Sequence, residues 1–436
     1  MSYQSAGGCL ELMQRLFCLK IVTFVLLCGC GNQRPVRDAQ PTDRDARPAL
    51  RDLSAIVDGA TLDLSDNVKR DARADLAAAK PDAAAQDVGT DASLVCSTGR
   101  GDCDGQRSNG CEVQLASSRR HCGRCDHDCS GGRCESGVCI LLEQPILTCP
   151  LISAGDALYL VTGSPQGLSR LSKQGGTPSK LIDRPIAYAI DGPNLYWLQS
   201  QATQFELLRR PLLSGSASLL ATLGKSDVPR SLAVHQGIAA WVTGDYLRWD
   251  NNGGTVWGYS SGQSKALATT RDGPQRALVD GAAIYWSEND ALFGVQASGG
   301  SPWLVAKGQD APLHLAADST HLYWTFSSPT SAGSMTFCPT CGIARAPKAG
   351  GAVQVIATTT YPPQALALQN QVIFWQDGNP PAQPATIRRV AVGGGSLETA
   401  ASDVRGGCFA VDAQSLYYVR ENPTTQQQEL VKVPWQ

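Results

Sequence analysis

The sequence predicts an all-β chain: a seven-bladed β-propeller preceded by a small disulfide-rich module and a disordered tether. Two observations carry the propeller. An apolar-aromatic triplet recurs at Leu158, Leu195, Ala239, Ile284, Leu322, Ile373 and Leu416, with centres at Tyr159, Tyr196, Ala240, Tyr285, Tyr323, Phe374 and Tyr417. The centres lie 37, 44, 45, 38, 51 and 43 residues apart, the period of a four-stranded propeller blade. A third observation, the clustering of the 16 cysteines, sets the module and the compartment. With 17% charged residues, a net charge of −2 and no basic block, nothing favours nucleic acid as a partner.

Residues 1–30 read as an export signal, with Arg15 and Lys20 before an apolar run from Ile21 to Leu27 that is too short to span a bilayer. Met13 is a second candidate start. The run ends in Leu27-Cys28-Gly29-Cys30, which resembles the bacterial lipobox. That resemblance implies acylation of Cys30, attachment to a membrane through the lipid, and, with Gly31 next, the outer membrane or cell surface. Ordinary signal cleavage and secretion is the alternative. Residues 31–95 are rich in Ala, Asp, Arg and Pro. They hold too little apolar surface to offset backbone ordering, so they read as a disordered tether.

Residues 96–139 hold Cys96, Cys103, Cys111, Cys122, Cys125, Cys129, Cys134 and Cys139. This density in an exported segment predicts a disulfide-stapled mini-domain, and four bridges leave 105 pairings open. Zinc on Cys122, Cys125, Cys129 and His127 is disfavoured, because thiols pair with one another in an oxidising compartment. Calcium on Asp102, Asp104 and Glu112 is disfavoured because Arg107 stands where an EF-hand loop needs glycine. No metal or other cofactor is expected. The run from Cys122 to Cys139 resembles the stigma-specific cysteine-rich family and modules of myxobacterial surface proteins, which implies a fold type and no activity.

Residues 140–436 alternate as strands do. Each copy has a small-apolar first strand, a turn, the aromatic second strand, an alternating third strand, a Gly-rich hairpin such as Gly299-Gly300 or Gly350-Gly351, and a fourth strand. Asp191, Asp280, Asp318 and Asp412 stand five residues before their aromatic centres, where each can cap its own turn. The tryptophans at 197, 241, 286, 324 and 375 recur once per copy and read as packing between sheets. The last copy stops one strand short, and the segment Val138 to Gln144 can supply that strand. Cys149 and Cys408 hold matching positions in the first and last copies, so a disulfide across the closure is expected. Cys338 and Cys341 are expected to form a local disulfide.

The aromatic phrase resembles YWTD and NHL-type propellers, among them bacterial surface proteins. Gluconolactonase-like and streptogramin-lyase-like enzymes share that general fold, which leaves a channel-site hydrolase or lyase as one alternative and a structural envelope component as another. Neither set of catalytic residues can be placed on this chain, so the expectation is a non-enzymatic, monomeric surface lipoprotein that binds a protein or glycan ligand. The expected binding face carries the connections between second and third strands and from one blade to the next, with Trp249 and Asp250 in the long loop from Gly244 to Gly254 and Arg230, Arg276 and His314 near the channel mouth.

Overall fold

The computed structural model describes residues 95–435 apart from residues 107, 130, 144–145, 163–165, 245–252, 310–311, 328–337, 339, 379–384 and 423. The expected signal, Cys30 and the tether lie outside the described residues. Among the described residues every regular element is a strand.

Five separate four-stranded antiparallel sheets span 146–183, 187–224, 229–270, 276–307 and 315–359, each with its strands in chain order. Each carries a register shift between its third and fourth strands, at Leu168/Ser169, Leu207/Leu208, Val256/Trp257, Leu292/Phe293 and Ile343/Ala344. A bulge repeated at one place adds local twist to every sheet. The first strands of successive sheets neighbour one another in a closed circuit, and Glu398–Val411 returns to Ile146–Ala154. The result is a β-propeller.

The expectation of seven blades is corrected. Five blades stand alone, and the last two sequence copies share one eight-stranded sheet. The 14-residue strand Glu398–Val411 runs through both copies, with Val404 opposite Ala385 on one side and Arg420 on the other. The cause is the composition of the join. Prolines 145, 185, 229, 274, 312 and 363 stand at the other joins, and proline lacks the N–H that a ladder needs. Arg405-Gly406-Gly407 stands at this one, and the strand continues.

The aromatic triplet explains how the sheets stack. Side chains alternate across a strand, so a tyrosine centre and the tryptophan after it face opposite neighbours. Trp286 packs with Ala240, Val242 and Val256 of the preceding sheet, whereas Tyr285 packs with Leu322 and Trp324 of the following one. The pattern repeats with Trp324 and Tyr323, and with Trp375 and Phe374. The tryptophans at 241, 286, 324 and 375 are at most 1% exposed. They are packing residues between sheets.

The recurrent aspartates share that packing task in two ways. Asp318 Oδ1 accepts from the Thr320 and His321 N–H groups, and its Oδ2 accepts from the Tyr323 hydroxyl at 2.5 Å. Asp412 repeats this with Gln414, Ser415 and Tyr417. Burial works to raise Asp318, but these donors win and hold it at about 2. Asp191 instead accepts from the N–H groups of Gln236 and Gly237 in the next blade, and Asp280 pairs with Lys348 of the next blade. The expectation that each caps its own turn therefore holds for two positions and is corrected for Asp191 and Asp280, which latch neighbouring blades.

Four disulfides staple the N-terminal module: Cys96–Cys111, Cys103–Cys125, Cys122–Cys134 and Cys129–Cys139. Cys122, Cys125 and Cys129 therefore carry no thiolate for zinc. His127 is buried beside them and lies 2.7 Å from the Cys122 carbonyl, where its Nδ1–H donates; burial pushes it below its usual value. Asp102, Asp104 and Glu112 bring carboxylate oxygens within 4.8 Å of one another. One oxygen of each accepts from an N–H group, of Gly105, Gln106 and Cys103 respectively, and Glu112 Oε2 is buried without a partner among the described residues.

The closing strand Val138–Leu142 pairs with Gln428–Pro434 on one side and Arg133–Glu135 of the module on the other. Ten residues beyond Cys139, Cys149 is bonded to Cys408 across 259 residues of chain, with Cα atoms 5.5 Å apart. Cys338 is bonded to Cys341. Replacing Cys149 and Cys408 together with alanine is expected to lower the unfolding free energy by about 5 kcal/mol in the chain-entropy account. Chemical denaturation checks this, and a loss below about 1 kcal/mol would show that the strand pairing alone holds the ring.

Candidate functional site

The inner strands enclose a cavity of about 710 Å³. Its wall follows from the sequence of those strands, which are short, apolar and rich in alanine: Leu151 and Ile152, Ala277, Leu315, Ala365 to Leu368, and Phe409 to Val411. Small residues let several sheets converge without filling the centre. The disulfide Cys149–Cys408 forms part of this wall.

Polar groups stand at the start of, or just before, three neighbouring inner strands. Arg276 lines the cavity opposite Ser287 in its own sheet. His314 occupies the equivalent place one sheet on, donating its backbone N–H to Thr325 Oγ1 at 3.1 Å and accepting from the Thr325 N–H. Gln364, two residues before the next inner strand, donates from Nε2 to the Pro362 carbonyl at 3.0 Å. Ser153 lines the first sheet's contribution, its hydroxyl buried without a partner. No Asp, Glu or Asn lines the cavity among the described residues.

Arg276 is exposed at the mouth, and no carboxylate pairs with it among the described residues. Burial, reinforced by the charge of Arg276, lowers His314 to about 4. The imidazole is therefore neutral at pH 7, and Arg276 is the one charged group among the described lining residues.

The structure brings together two of the residues expected at the mouth. Arg276 and His314 line the cavity; Arg230 does not. Arg230 lies at a register shift between Pro229 and Ser231, and Ser231 is the residue that aligns with Arg276. Counting from the join prolines placed Arg230 one position out, and one position is enough to change the face of a strand. Its guanidinium lies against Gly244, where an added Cβ would sit 3.2 Å away. Trp249 and Asp250 lie outside the described residues. Gln364 went unnoticed because glutamine after proline carries no periodic signal.

A second, polar recess of about 380 Å³ lies at the seam, where Lys173 pairs with Asp412 at 2.7 Å beside Tyr417 and Lys432. Burial opposes ionisation of Asp412, but Lys173 and the donors of its own turn hold the carboxyl below its usual range. These charges are already matched, so this recess is a latch between the first blade and the eight-stranded sheet.

No protein-family model matches the chain, and no curated protein matches it in sequence. Among solved structures, an oligogalacturonate lyase in complex with manganese is similar over 70% of this chain and 94% of its own, at 10% identity and a TM-score of 0.52. The β-propeller domain of the trilobed protease from Pyrococcus furiosus is similar over 68% of this chain and 97% of its own, at 9% identity and a TM-score of 0.47. A chain of a nidogen/laminin complex covers 55% of this chain and 89% of its own, at 15% identity and a TM-score of 0.37. The first likeness shows the propeller fold and carries no activity with it.

The titration of His314 is open to test. Its folded-state value of about 4 lies below an unfolded value of about 6.5, so the unfolded chain takes up the proton first. The stability it contributes is complete above pH 6.5 or so and drains away as pH falls toward 4. Thermal midpoints measured at pH 7, 5.5 and 4.5 should fall less steeply in His314→Asn than in the parent.

Proposed function

We propose that this chain is an exported, non-enzymatic binding protein, acylated at Cys30 and anchored to a bacterial outer membrane or cell surface. On this reading the propeller is held away from the membrane by the tether, and it presents the face at which the central cavity opens to a protein or glycan ligand. The observation that carries the proposal is the character of that opening. Arg276, Leu313 and Gln364 are exposed around the mouth of an apolar cavity, and the second strands ending at Gly244, Ser327 and Asp377 stop at the same end. Six disulfides support export, since such bonds persist in oxidising compartments. A lining of one arginine, one neutral histidine and amide or hydroxyl groups supports recognition over bond-breaking chemistry. Acid-base catalysis draws on groups poised to exchange protons near neutral pH, and His314 is not one.

Two measurements address the two halves of this reading. Labelled palmitate should enter the parent chain and not Cys30→Ser, and the variant should move from the membrane to the soluble fraction. Purified full-length protein should retain an envelope protein or an arrayed glycan. Arg276→Glu with Gln364→Glu should abolish that retention, whereas Leu213→Glu on the outer rim should leave it intact. Equal loss in both variants would count against the cavity face.

A further inference from the structure

We propose that the central cavity is a receptor for a single carboxylate borne on an apolar stem, with Arg276 receiving the carboxylate and the stem entering between Leu366 and Phe409. The proposal rests on the reading that this face is the binding face and names the chemistry recognised there.

Charge comes first. Arg276 brings one positive charge to the mouth, and no acid among the described lining residues opposes it. An arginine offers a planar pair of donors that matches a carboxylate, and the two bonds fix orientation as well as sign. A dianionic phosphate would bring two negative charges to one guanidinium. The surplus charge would have to be desolvated against an apolar wall, which is costly. A monoanion leaves no surplus. A cationic ligand would meet Arg276 with no counter-charge.

Shape and polarity set the remainder. A space of about 710 Å³ lies within the usual range for sites that enclose a small organic ligand. Below Arg276 the wall is aliphatic and aromatic, and the neutral imidazole of His314 with the side-chain amide of Gln364 gives the rim hydrogen-bonding capacity without charge. The charge occupies one sector: Arg276, His314 and Gln364 stand at the ends of three neighbouring inner strands, while the closure side contributes Leu151, Cys408 and Ala410 with the single hydroxyl of Ser153. A ligand with one charged end and an apolar body fits a site with one charged sector and an apolar body.

The test uses the purified full-length chain at pH 7 with three probes of one skeleton: 4-phenylbutyrate, 4-phenylbutanol and 4-phenylbutylamine, read by calorimetry and saturation-transfer NMR. The acid should bind at least about tenfold more tightly than the alcohol, and the amine more weakly than either. Arg276→Gln should bring the acid down to the alcohol's affinity. Because Arg276 is exposed, an unchanged thermal midpoint shows that the variant folds. A peptide ending in Leu-Phe with a free C-terminus, compared with its amide, separates a polypeptide terminus from a free small acid as the source of the carboxylate. The proposal is overturned if acid and alcohol bind alike, if no probe binds, or if the preference survives Arg276→Gln. If no probe binds while Arg276→Glu with Gln364→Glu still abolishes retention of an envelope ligand, the face reading stands and the carboxylate proposal falls.

Discussion

Each propeller sheet among the described residues packs apolar side chains on both faces, and that constraint governs the rest. In four copies a tyrosine or phenylalanine centre looks one way and a tryptophan the other, and in the remaining three leucine, alanine or tyrosine takes one of those places, so no sheet can be last in a row without exposing apolar surface. The row has to close. Closure is achieved by a strand from before the repeats, Val138–Leu142, lying beside the final strand Gln428–Pro434. Its side chains join both adjoining cores: Ile140 packs with Phe374, Tyr418 and Val431, while Leu141 and Leu142 pack with Leu158, Leu160 and Leu430. Without this pairing two apolar faces would be left open to water at about 25 cal/mol for each Å² exposed.

Polar latches between blades reinforce the stack at its outer turns. Arg345 donates to the Val392 carbonyl, Arg389 to that of Trp435, and Trp303 Nε1 to that of Lys348 at 2.9 Å. The first and third join one sheet to the next, and the second joins the two halves of the eight-stranded sheet, all in the same rotational sense as Asp280 to Lys348 and Asp412 to Lys173. Single exposed pairs of this kind contribute little. Repeated around a ring they resist the one deformation the apolar interfaces allow, a sliding of one sheet over another, because dispersion and hydrophobic contact are not directional.

The sheets, the order of strands within them and the packing role of the tryptophans were legible in the sequence. All three follow from local periodicity. What was not legible depends on register and on joins. The absence of proline before Cys408 lets one strand run through two repeats, a consequence of a missing residue that a search for recurring motifs passes over. Arg230 and Arg276 both follow a join proline closely, yet a bulge at Arg230 separates them. Asp191 and Asp412 occupy one repeat position, but their partners come from different blades because side-chain reach across an interface has no sequence signature. The cavity itself was foreseeable only as a consequence of small residues on the inner strands. Its one-sided charge needed the alignment of Arg276 with Ser231 and His314 across sheets.

The N-terminal module is best understood through the strand it shares with the ring. An edge strand in the eight-stranded sheet would leave a row of unpaired backbone groups; Arg133–Glu135 covers part of that edge. Arg133 reaches Glu429, which is 1% exposed and also accepts from Asn422 at 2.7 Å and Arg420 at 3.0 Å. Lys432 donates to the Asp128 carbonyl. Gly175 takes a φ of +90°, and a Cβ there would sit 2.9 Å from the Gly132 nitrogen; glycine is what lets the first blade's hairpin touch the module. The closing strand is therefore held covalently at both ends, by Cys129–Cys139 at its second residue and by Cys149–Cys408 beyond it. If its hydrogen bonds open, its ends stay in place, and re-pairing is an intramolecular event at high effective concentration. A ring built this way fails only when a tethered strand leaves and stays away, and that makes the module part of the propeller's closure, whatever else it does.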